Sequence, residues 1–574
     1  MRFIRYPIKN WLCLLILITV FAGFSSIVYK LYLIQVIKKV SAKNLSTLNG
    51  LKIIQPLRGN IFLVDKDNNL FPAAVSYYLY DLYYYPPKAK NINKELEEIN
   101  KILNFDNLNE LKNKAKSSSK SFILAKDLNN FKKDKISSFG YDSVFFEEKV
   151  VRKYPLNEIL ATVLGFSSLD EETGQIEGKY GLEKYYNELL KGEVGYRDNF
   201  RVIRMPQKGA DLVLNLDYYL QLKTFEILKN AVEEFKAEGG LIVVVETKTG
   251  RILAVSELPS YNPNFYFNEK DYSIFISRLS KTYEPGSVMK PFFYAAAFNE
   301  NLAKPDDVYN DQGYVVLNGW RIENFDKKAR GTVDLKTALE QSLNTGSVYI
   351  SQLLGKTKFL RYVNAFYLNS KPEVDFPILE EHNFSNLKNP GREVNFGTAS
   401  FGQGVSLSPL GLMQSFNLFS NNGQIISFNF AKKIIYFDNS EKEINSKNIS
   451  KVLSKETLDK ISPILEGVVE NQAKKAKIKG FKVAGKTGSA LIPNLKEKSD
   501  GFSGYSDEVI TNFIGFLPAS DPKFLVLVRL DKPAKNLLAF GTAAPTFKKV
   551  AEFLVSYYSL EPDKIEEVLK DLNN

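Results

Sequence analysis

The chain has 574 residues, of which 44% are apolar and 25% charged, and a formal net charge of +11. That length accommodates roughly three or four globular domains, and the composition excludes a disordered or collagen-like polymer. One cysteine, Cys13, and one histidine, His382, exclude an intrachain disulfide and argue against a multi-ligand zinc site. The basic residues are scattered among Asn, Ile and Glu with no long basic run, which disfavours nucleic acid as a partner.

Trp11 to Tyr29 is an apolar run of 19 residues without a charge. As a helix it spans roughly 28 Å, close to the bilayer core of about 30 Å. Arg2, Arg5 and Lys9 precede it and hold the N-terminus inside. The expected layout is a cytoplasmic tail over 1–10, a transmembrane anchor over 11–30, and everything later on the outer side of the cytoplasmic membrane. A cleaved signal peptide is the competing reading. The run is long for that, and polar and aromatic residues follow it in place of a small-x-small site. Cys13 then sits in lipid as an apolar filler. Leu31 to Val40 continues as a juxtamembrane helix.

Residues 51–235 read as one region of short strands, many Tyr and Phe, and Lys/Asn-rich stretches. The Lys/Ser run from Lys112 to Lys120 reads as a solvated face. Leu220, Ile227, Leu228, Ala231, Val232 and Phe235 fall on one helical face. From Gly239 the texture changes. Leu241 to Val245 and Ile252 to Val255 are strand runs around a Lys248-Thr-Gly250 turn, which predicts a hairpin. Further strands are predicted at Phe481 to Ala484, Ile510 to Phe516 and Phe524 to Leu530, and a helix at Pro545 to Tyr558. Strands at both ends with helices between them predict an α+β domain over 236–560, an antiparallel sheet packed with helices. No internal repeat is evident.

Three stretches carry the chemistry: Tyr283-Glu-Pro-Gly-Ser-Val-Met-Lys290, Ser342-Leu-Asn344 and Ala484-Gly-Lys-Thr-Gly-Ser-Ala490. Ser-x-x-Lys alone is a weak signal, since it also occurs at Ser117, Ser385 and Ser520. Only Ser287 follows Pro285-Gly286 and precedes an apolar run, Phe292 to Phe298. Ser287 is expected to open a helix, with Lys290 on the same face and within reach of its hydroxyl. A free lysine titrates near 10.4, so burial and the helix N-terminus must lower Lys290 before it can take a proton. Ser342 is placed to relay a proton to a leaving amine, and Asn344 to hold a substrate peptide. Lys486-Thr-Gly488 ends an apolar strand, where small residues let a substrate backbone lie as an added strand. Lys486 and Thr487 suit a terminal carboxylate. The amides of Ser287 and Ser489 suit an oxyanion hole. The order serine, lysine, serine, amide, lysine points to acyl transfer through a serine ester, activated by lysine.

Two decoys weigh against other readings. Glu340-Gln-Ser-Leu-Asn344 spells Glu-x-x-Leu-Asn, the pattern that carries the deacylating glutamate of serine β-lactamases, but it overlaps the Ser-x-Asn motif. Glu380 and Glu381 have no Leu-Asn after them, so a water-activating glutamate is not supported. His382 lies in a polar stretch and reads as a solvated loop residue, with a Ser–His pair as the alternative.

With these motifs in place, the chain resembles the class B penicillin-binding proteins over nearly its whole length after the anchor. Pro56-Leu-Arg-Gly-Asn-Ile61, Arg152-Lys-Tyr-Pro155, Val163-Leu-Gly165 and Tyr180-Gly-Leu-Glu-Lys184 are similar to the family's pedestal signatures. Leu258-Pro-Ser-Tyr-Asn-Pro-Asn264, Phe401-Gly-Gln-Gly404, Ser408-Pro409 and Asn512-Phe-Ile-Gly-Phe-Leu-Pro518 resemble later landmarks. The resemblance implies a penicillin-binding transpeptidase fold carrying an N-terminal pedestal of the dimerisation type over 51–235. It implies Ser287 as nucleophile, Lys290 as base, Ser342 and Asn344 as the second motif, and Lys486, Thr487 and Gly488 as the third. The implied activity is D,D-transpeptidation of stem peptides ending D-Ala-D-Ala, inhibited by β-lactams and needing no cofactor or metal. Asn344, where elongation-type relatives carry Asp, points to the division type. Val288-Met289 and Ser489 depart from the commoner Thr-Phe and Thr without removing a group the chemistry needs. The implied partners are a polytopic glycosyltransferase and other division proteins. An elongation-type transpeptidase, a D,D-carboxypeptidase or β-lactamase, a non-catalytic β-lactam sensor and a scaffold with a dead site are the alternatives. The loop 491–508 borders the third motif and shapes access to it.

Overall fold

In the computed structural model the described residues are 8–32, 52–198, 201–388, 391–493, 504–534 and 538–565. The predicted anchor falls on a helix, Ile8–Tyr32, on which Leu17, Phe21 and Phe24 are exposed. The side chain of Cys13, most of the 1–10 tail and juxtamembrane residues 33–40 lie outside the described residues. Among the described residues, no helix is long and apolar enough to cross a membrane.

The N-terminal region is built on a mixed seven-stranded sheet. Its long central strand, Leu70–Tyr84, pairs antiparallel with Ile61–Val64, Phe122–Leu128 and Val144–Lys153. Asp211–Asp217 adds to Ile61–Val64 in parallel. Two strands from far downstream, Ala431–Ile435 and Glu441–Glu443, complete the edge. This sheet therefore closes only when the chain returns to it from the C-terminal half.

A buried ion triad gathers the signatures of this region. The Glu183 carboxylate accepts from Arg58 Nε at 2.6 Å and from Arg152 Nε at 2.8 Å. Tyr154 Oη donates to it at 3.1 Å. Burial acts to raise this carboxyl, but the guanidinium groups of Arg152 and Arg58 outweigh it and hold it below the usual range. Arg58 also donates to the Glu183 carbonyl at 2.7 Å, and Arg152 to the Gly59 carbonyl at 2.6 Å. Three stretches separated by up to 125 positions thus meet at one carboxylate. Tyr154 also exchanges backbone hydrogen bonds of 2.9 Å with the Asn264 side chain, which ties this region to the start of the C-terminal domain.

The C-terminal sheet has five strands in the order 252–258, 239–246, 524–531, 505–517, 484–493, all antiparallel. The predicted hairpin and its Lys248-Thr-Gly250 turn are present, with Gly250 at φ 67°. Two predictions shift. The run at Phe481 to Ala484 leads into the strand Ala484–Pro493, so the third motif lies inside that strand and does not end one. The helix Tyr218–Phe235, read with the N-terminal region, packs Leu220, Ile227, Leu228 and Ala231 into the core of the C-terminal sheet. On the other face lies the helix Lys290–Asn299, buried from Lys290 to Phe298. An apolar helix without a solvated stripe is the signature of such a central position.

Replacing Glu183 with Gln leaves two buried guanidinium groups short of their countercharge. Removing one partner of a buried ion cluster costs about 3–5 kcal/mol, so the Glu183→Gln chain is expected to lose about that much in urea unfolding. A loss below about 1 kcal/mol would show that the triad is dispensable.

Candidate active site

The turn that carries Ser287 is held by close backbone contacts. Gly286 takes a left-handed φ of 66°, and Gly286–Met289 forms a single 3₁₀ turn that feeds the helix Lys290–Asn299. Ser287 thus sits in the turn ahead of the α-helix and does not open it. Tyr283 Oη donates to Asn512 Oδ1 at 3.2 Å, and Asn512 Nδ2 donates to the Pro285 carbonyl at 3.5 Å. The Gly286 amide donates to the Gly402 carbonyl at 3.2 Å. A Cβ on Gly402 would collide with the Gly286 backbone, and one on Gly488 would lie 2.8 Å from the Pro285 carbonyl. Gly488 is therefore small where the turn carrying Ser287 packs on it.

Two lysines converge behind this turn. Lys290 Nζ donates to the Ser342 carbonyl at 2.6 Å and to Asn344 Oδ1 at 2.9 Å, with Ser342 Oγ at 3.3 Å. Lys486 Nζ donates to Ser342 Oγ at 3.0 Å and to the Thr487 carbonyl at 3.0 Å. One hydroxyl therefore bridges two amines, both of them buried. Ser342 holds a left-handed backbone, φ 60°, sparsely populated outside glycine; this turns its carbonyl and its hydroxyl to the same amine. Burial, and then the nearby Lys486, push Lys290 well below its usual range. Burial brings Lys486 down to about 7. A neutral Lys290 has two N–H groups, and the two carbonyl acceptors match them, leaving its lone pair free of those bonds. Asn344, expected to hold a substrate peptide, spends its oxygen on Lys290 and donates to the Glu323 carbonyl at 2.8 Å.

These groups border a cleft of about 440 Å³, lined by Ser287, Ser342, Asn344, Thr487 and Ser489 among others. The Ser287 hydroxyl makes no hydrogen bond to Lys290 and none elsewhere among the described residues, as is common before substrate tightens a catalytic site. The 484–493 strand is the sheet edge, so one side of its backbone has no neighbouring strand among the described residues. Thr487 Oγ1 donates to Gln472 Oε1 at 3.1 Å, and Ser489 Oγ accepts from the Ala539 amide at 3.1 Å. Of the loop 491–508, residues 494–503 lie outside the described residues.

Glu340 does not line the cleft. It is buried, accepts from Asn471 Nδ2 at 2.8 Å and packs on Gly467. His382 is not a solvated loop residue: its ring bridges the Leu368 carbonyl at 2.8 Å and Ser408 Oγ at 3.0 Å, and burial lowers its basicity. It pairs with the serine that caps the helix Pro409–Phe416, far from Ser287 in the chain. Glu284 was missed. Burial raises its carboxyl to about 7; it accepts from the Gly404 amide at 3.1 Å and from Tyr505 Oη at 3.1 Å. Its position three residues before Ser287 was the only signal in the sequence. Gln472 and Phe540 also line the cleft, and no motif marks them.

Residues 240–552 match the penicillin binding protein transpeptidase domain, and residues 53–202 the penicillin-binding protein dimerisation domain. Stage V sporulation protein D of Bacillus subtilis is 29% identical over 536 residues, covering 89% of this chain and 80% of that protein. The probable peptidoglycan D,D-transpeptidase PenA of Neisseria gonorrhoeae is 26% identical, covering 88% and 82%. The peptidoglycan D,D-transpeptidase FtsI of Buchnera aphidicola subsp. Schizaphis graminum is 26% identical, covering 78% and 77%. The crystal structure of penicillin binding protein 2X from Streptococcus thermophilus superposes with a TM-score of 0.79 at 20% identity, covering 88% of this chain and 80% of that one. With the transpeptidase match spanning more than half of its length, the chain belongs to the penicillin-binding protein transpeptidase family, and it carries the family's dimerisation domain ahead of the catalytic one.

Proposed function

We propose that the chain is a peptidoglycan D,D-transpeptidase that cross-links stem peptides ending D-Ala-D-Ala through an ester on Ser287. The observation that carries this reading is the Ser342 hydroxyl held between Lys290 and Lys486 at the wall of the cleft that Ser287 lines. A donor stem lies along the open edge of the 484–493 strand as an added strand. Thr487 and Ser489 face its terminal carboxylate, with Lys486 behind them. Ser287 Oγ attacks the carbonyl carbon of the penultimate residue, and neutral Lys290 takes the proton. The amides of Ser287 and Ser489 stabilise the oxyanion. Ser342, hydrogen-bonded to both lysines, passes a proton to the leaving D-Ala amine. An amine from a neighbouring stem then attacks the ester, and β-lactams take the place of the donor. Gly488 lets the nucleophile turn approach, and Asn344 orients Lys290.

Glu340 points to Asn471 and Gly467 and lines no part of the cleft. Among the described residues the carboxylate that lines the cleft is Asp326, and both its oxygens are held by Arg330. The lack of a free water-activating carboxylate there supports a long-lived acyl-enzyme over a β-lactamase or carboxypeptidase. The apolar run over 11–29 supports a single anchor in the cytoplasmic membrane, with the N-terminus inside and the catalytic domain outside. Asn344 at the third position of the second motif, together with relatives named FtsI, supports a septal role beside a polytopic glycosyltransferase and other division proteins. Depletion in cells is expected to give filaments; rounded cells would assign the elongation role instead.

A fluorescent penicillin is expected to label the protein for hours, and Ser287→Ala to abolish the label. Retention of label in that variant would end the proposal. Replacing Ser342 with Ala removes the proton relay and should slow acylation by about 10²–10⁴-fold. The lowered Lys486 also has a stability consequence. Its folded value near 7 lies below its ordinary 10.5. Between those values the unfolded chain binds a proton that the folded chain does not, so stability rises with pH across that window. Lys486→Met removes a buried charge that is only partly compensated. It is expected to stabilise the fold at pH 7 by about 1–4 kcal/mol while impairing acylation. The gain should shrink as pH approaches 10, and urea unfolding at both pH values measures it. Equal gains at the two would contradict a depressed Lys486.

A further inference from the structure

A second cavity, of about 400 Å³, lies against the start of the helix Asn344–Ala365, on the far side of the second motif from the catalytic cleft. Its walls come from that helix and from the strands Val308–Asp311 and Tyr314–Leu317. No charged side chain lines it among the described residues. Its floor is a pair of stacked rings, Tyr309 and Tyr349, with centroids 5.3 Å apart and planes 19° apart. Around the rings stand three exposed side-chain amides, Asn310, Gln312 and Gln352. None of the three has a hydrogen-bond partner among the described residues.

Each of these features selects against a different ligand. The absence of charge disfavours phosphates, carboxylates and ammonium groups, whose desolvation would go uncompensated. The free amides disfavour a purely apolar guest, which would strip water from them without replacing its hydrogen bonds. What remains is a neutral molecule with an apolar face and a rim of donors and acceptors. A pyranose ring has that form: axial C–H groups lie flat on an aromatic face, and equatorial hydroxyl and acetamido groups meet amides at the edge. The volume falls within the usual range for small-ligand sites.

The cavity also shares a wall with the catalytic cleft. Tyr309 Oη lies 3.1 Å from Thr345 Oγ1, which donates to Asp311 Oδ1 at 2.9 Å. The Thr345 amide donates to Asn324 Oδ1 at 3.2 Å. Asn324 lines the catalytic cleft, and Asn344, next to Thr345, holds Lys290. We propose that the Tyr309–Tyr349 cavity is a subsite for neutral N-acetylated saccharide, seating the glycan that bears a stem peptide. The proposal rests on the transpeptidase reading and extends it from the peptide to the sugar chain.

The test uses the full chain with N-acetylchitotetraose, which has no peptide and no charge, and maltotetraose as a control lacking acetamido groups. Calorimetric titration is expected to show tighter binding of the chitotetraose. Gln352→Ala should weaken it about three-fold and Tyr349→Ala about ten-fold. Labelling of Ser287 by fluorescent penicillin should be unchanged in both variants, which certifies that they are folded; Gln352 is exposed, so its replacement also carries little risk to folding. Absence of chitotetraose binding, equal binding of the two oligosaccharides, or binding indifferent to both substitutions would each overturn the subsite. Failure of the wild type to take up penicillin would instead overturn the transpeptidase reading, so the two failures are distinguishable.

Discussion

The site depends on one hydroxyl held between two buried amines. Ser342 Oγ lies 3.3 Å from Lys290 Nζ and 3.0 Å from Lys486 Nζ. Two ammonium groups cannot comfortably share so small a buried space, because each pays a desolvation penalty and each repels the other. The fold therefore imposes a deficit of protons on the pair. In the proposed reaction that deficit lets Lys290 act as base without histidine; His382 is occupied elsewhere, against Leu368 and Ser408. The titration belongs to the two amines together, and the hydroxyl between them is the route by which a proton can move.

To hold such a pair in place, the protein relies on backbone proximity more than on side chains. Gly402 and Gly488 bring their segments closer to the Ser287 turn than a Cβ would allow, and Gly286 supplies the left-handed φ of that turn. Asn512 adds hydrogen bonds to the same turn from the neighbouring strand. The N-terminal region uses the opposite device, a buried Arg58–Glu183–Arg152 triad in which charge and not small size joins distant segments. Both devices are all-or-none: a methyl in the first or a missing charge in the second leaves a clash or an uncompensated ion. The sequence signatures of the family in this chain coincide with these two structures.

The catalytic cleft and the tyrosine-lined cavity both border one short segment, Asn344 lining the first and Thr345 the second. Asn344 turns to Lys290, and Thr345 turns to Tyr309, Asp311 and Asn324. Occupancy of the cavity would bear on Thr345, one residue from Asn344, which accepts from Lys290. The physical link is a chain of hydrogen bonds within a buried network, where each member is costly to leave unpaired.

The sequence by itself identified the reaction, because serine, lysine and amide residues recur in a fixed order around Pro-Gly and Lys-Thr-Gly turns. It also gave the alternation of strand runs that predicts an antiparallel sheet, and the apolar face of the 218–235 helix. Those signals are local, set by spacing of 2 or 3.6 residues and by turn chemistry. It placed Lys290 beside Ser287, whereas the folded chain gives Lys290 to Ser342 and Asn344, more than 50 positions away. It gave no reading of Glu284, whose buried carboxyl lies against Gly404 and Tyr505. It could not show that strands 431–435 and 441–443 close the N-terminal sheet. Nor could it bring Arg58, Arg152 and Glu183 to one point. Those outcomes depend on which distant segments pack together and how deeply they exclude water, and burial and long-range contact leave no periodic trace along a single chain.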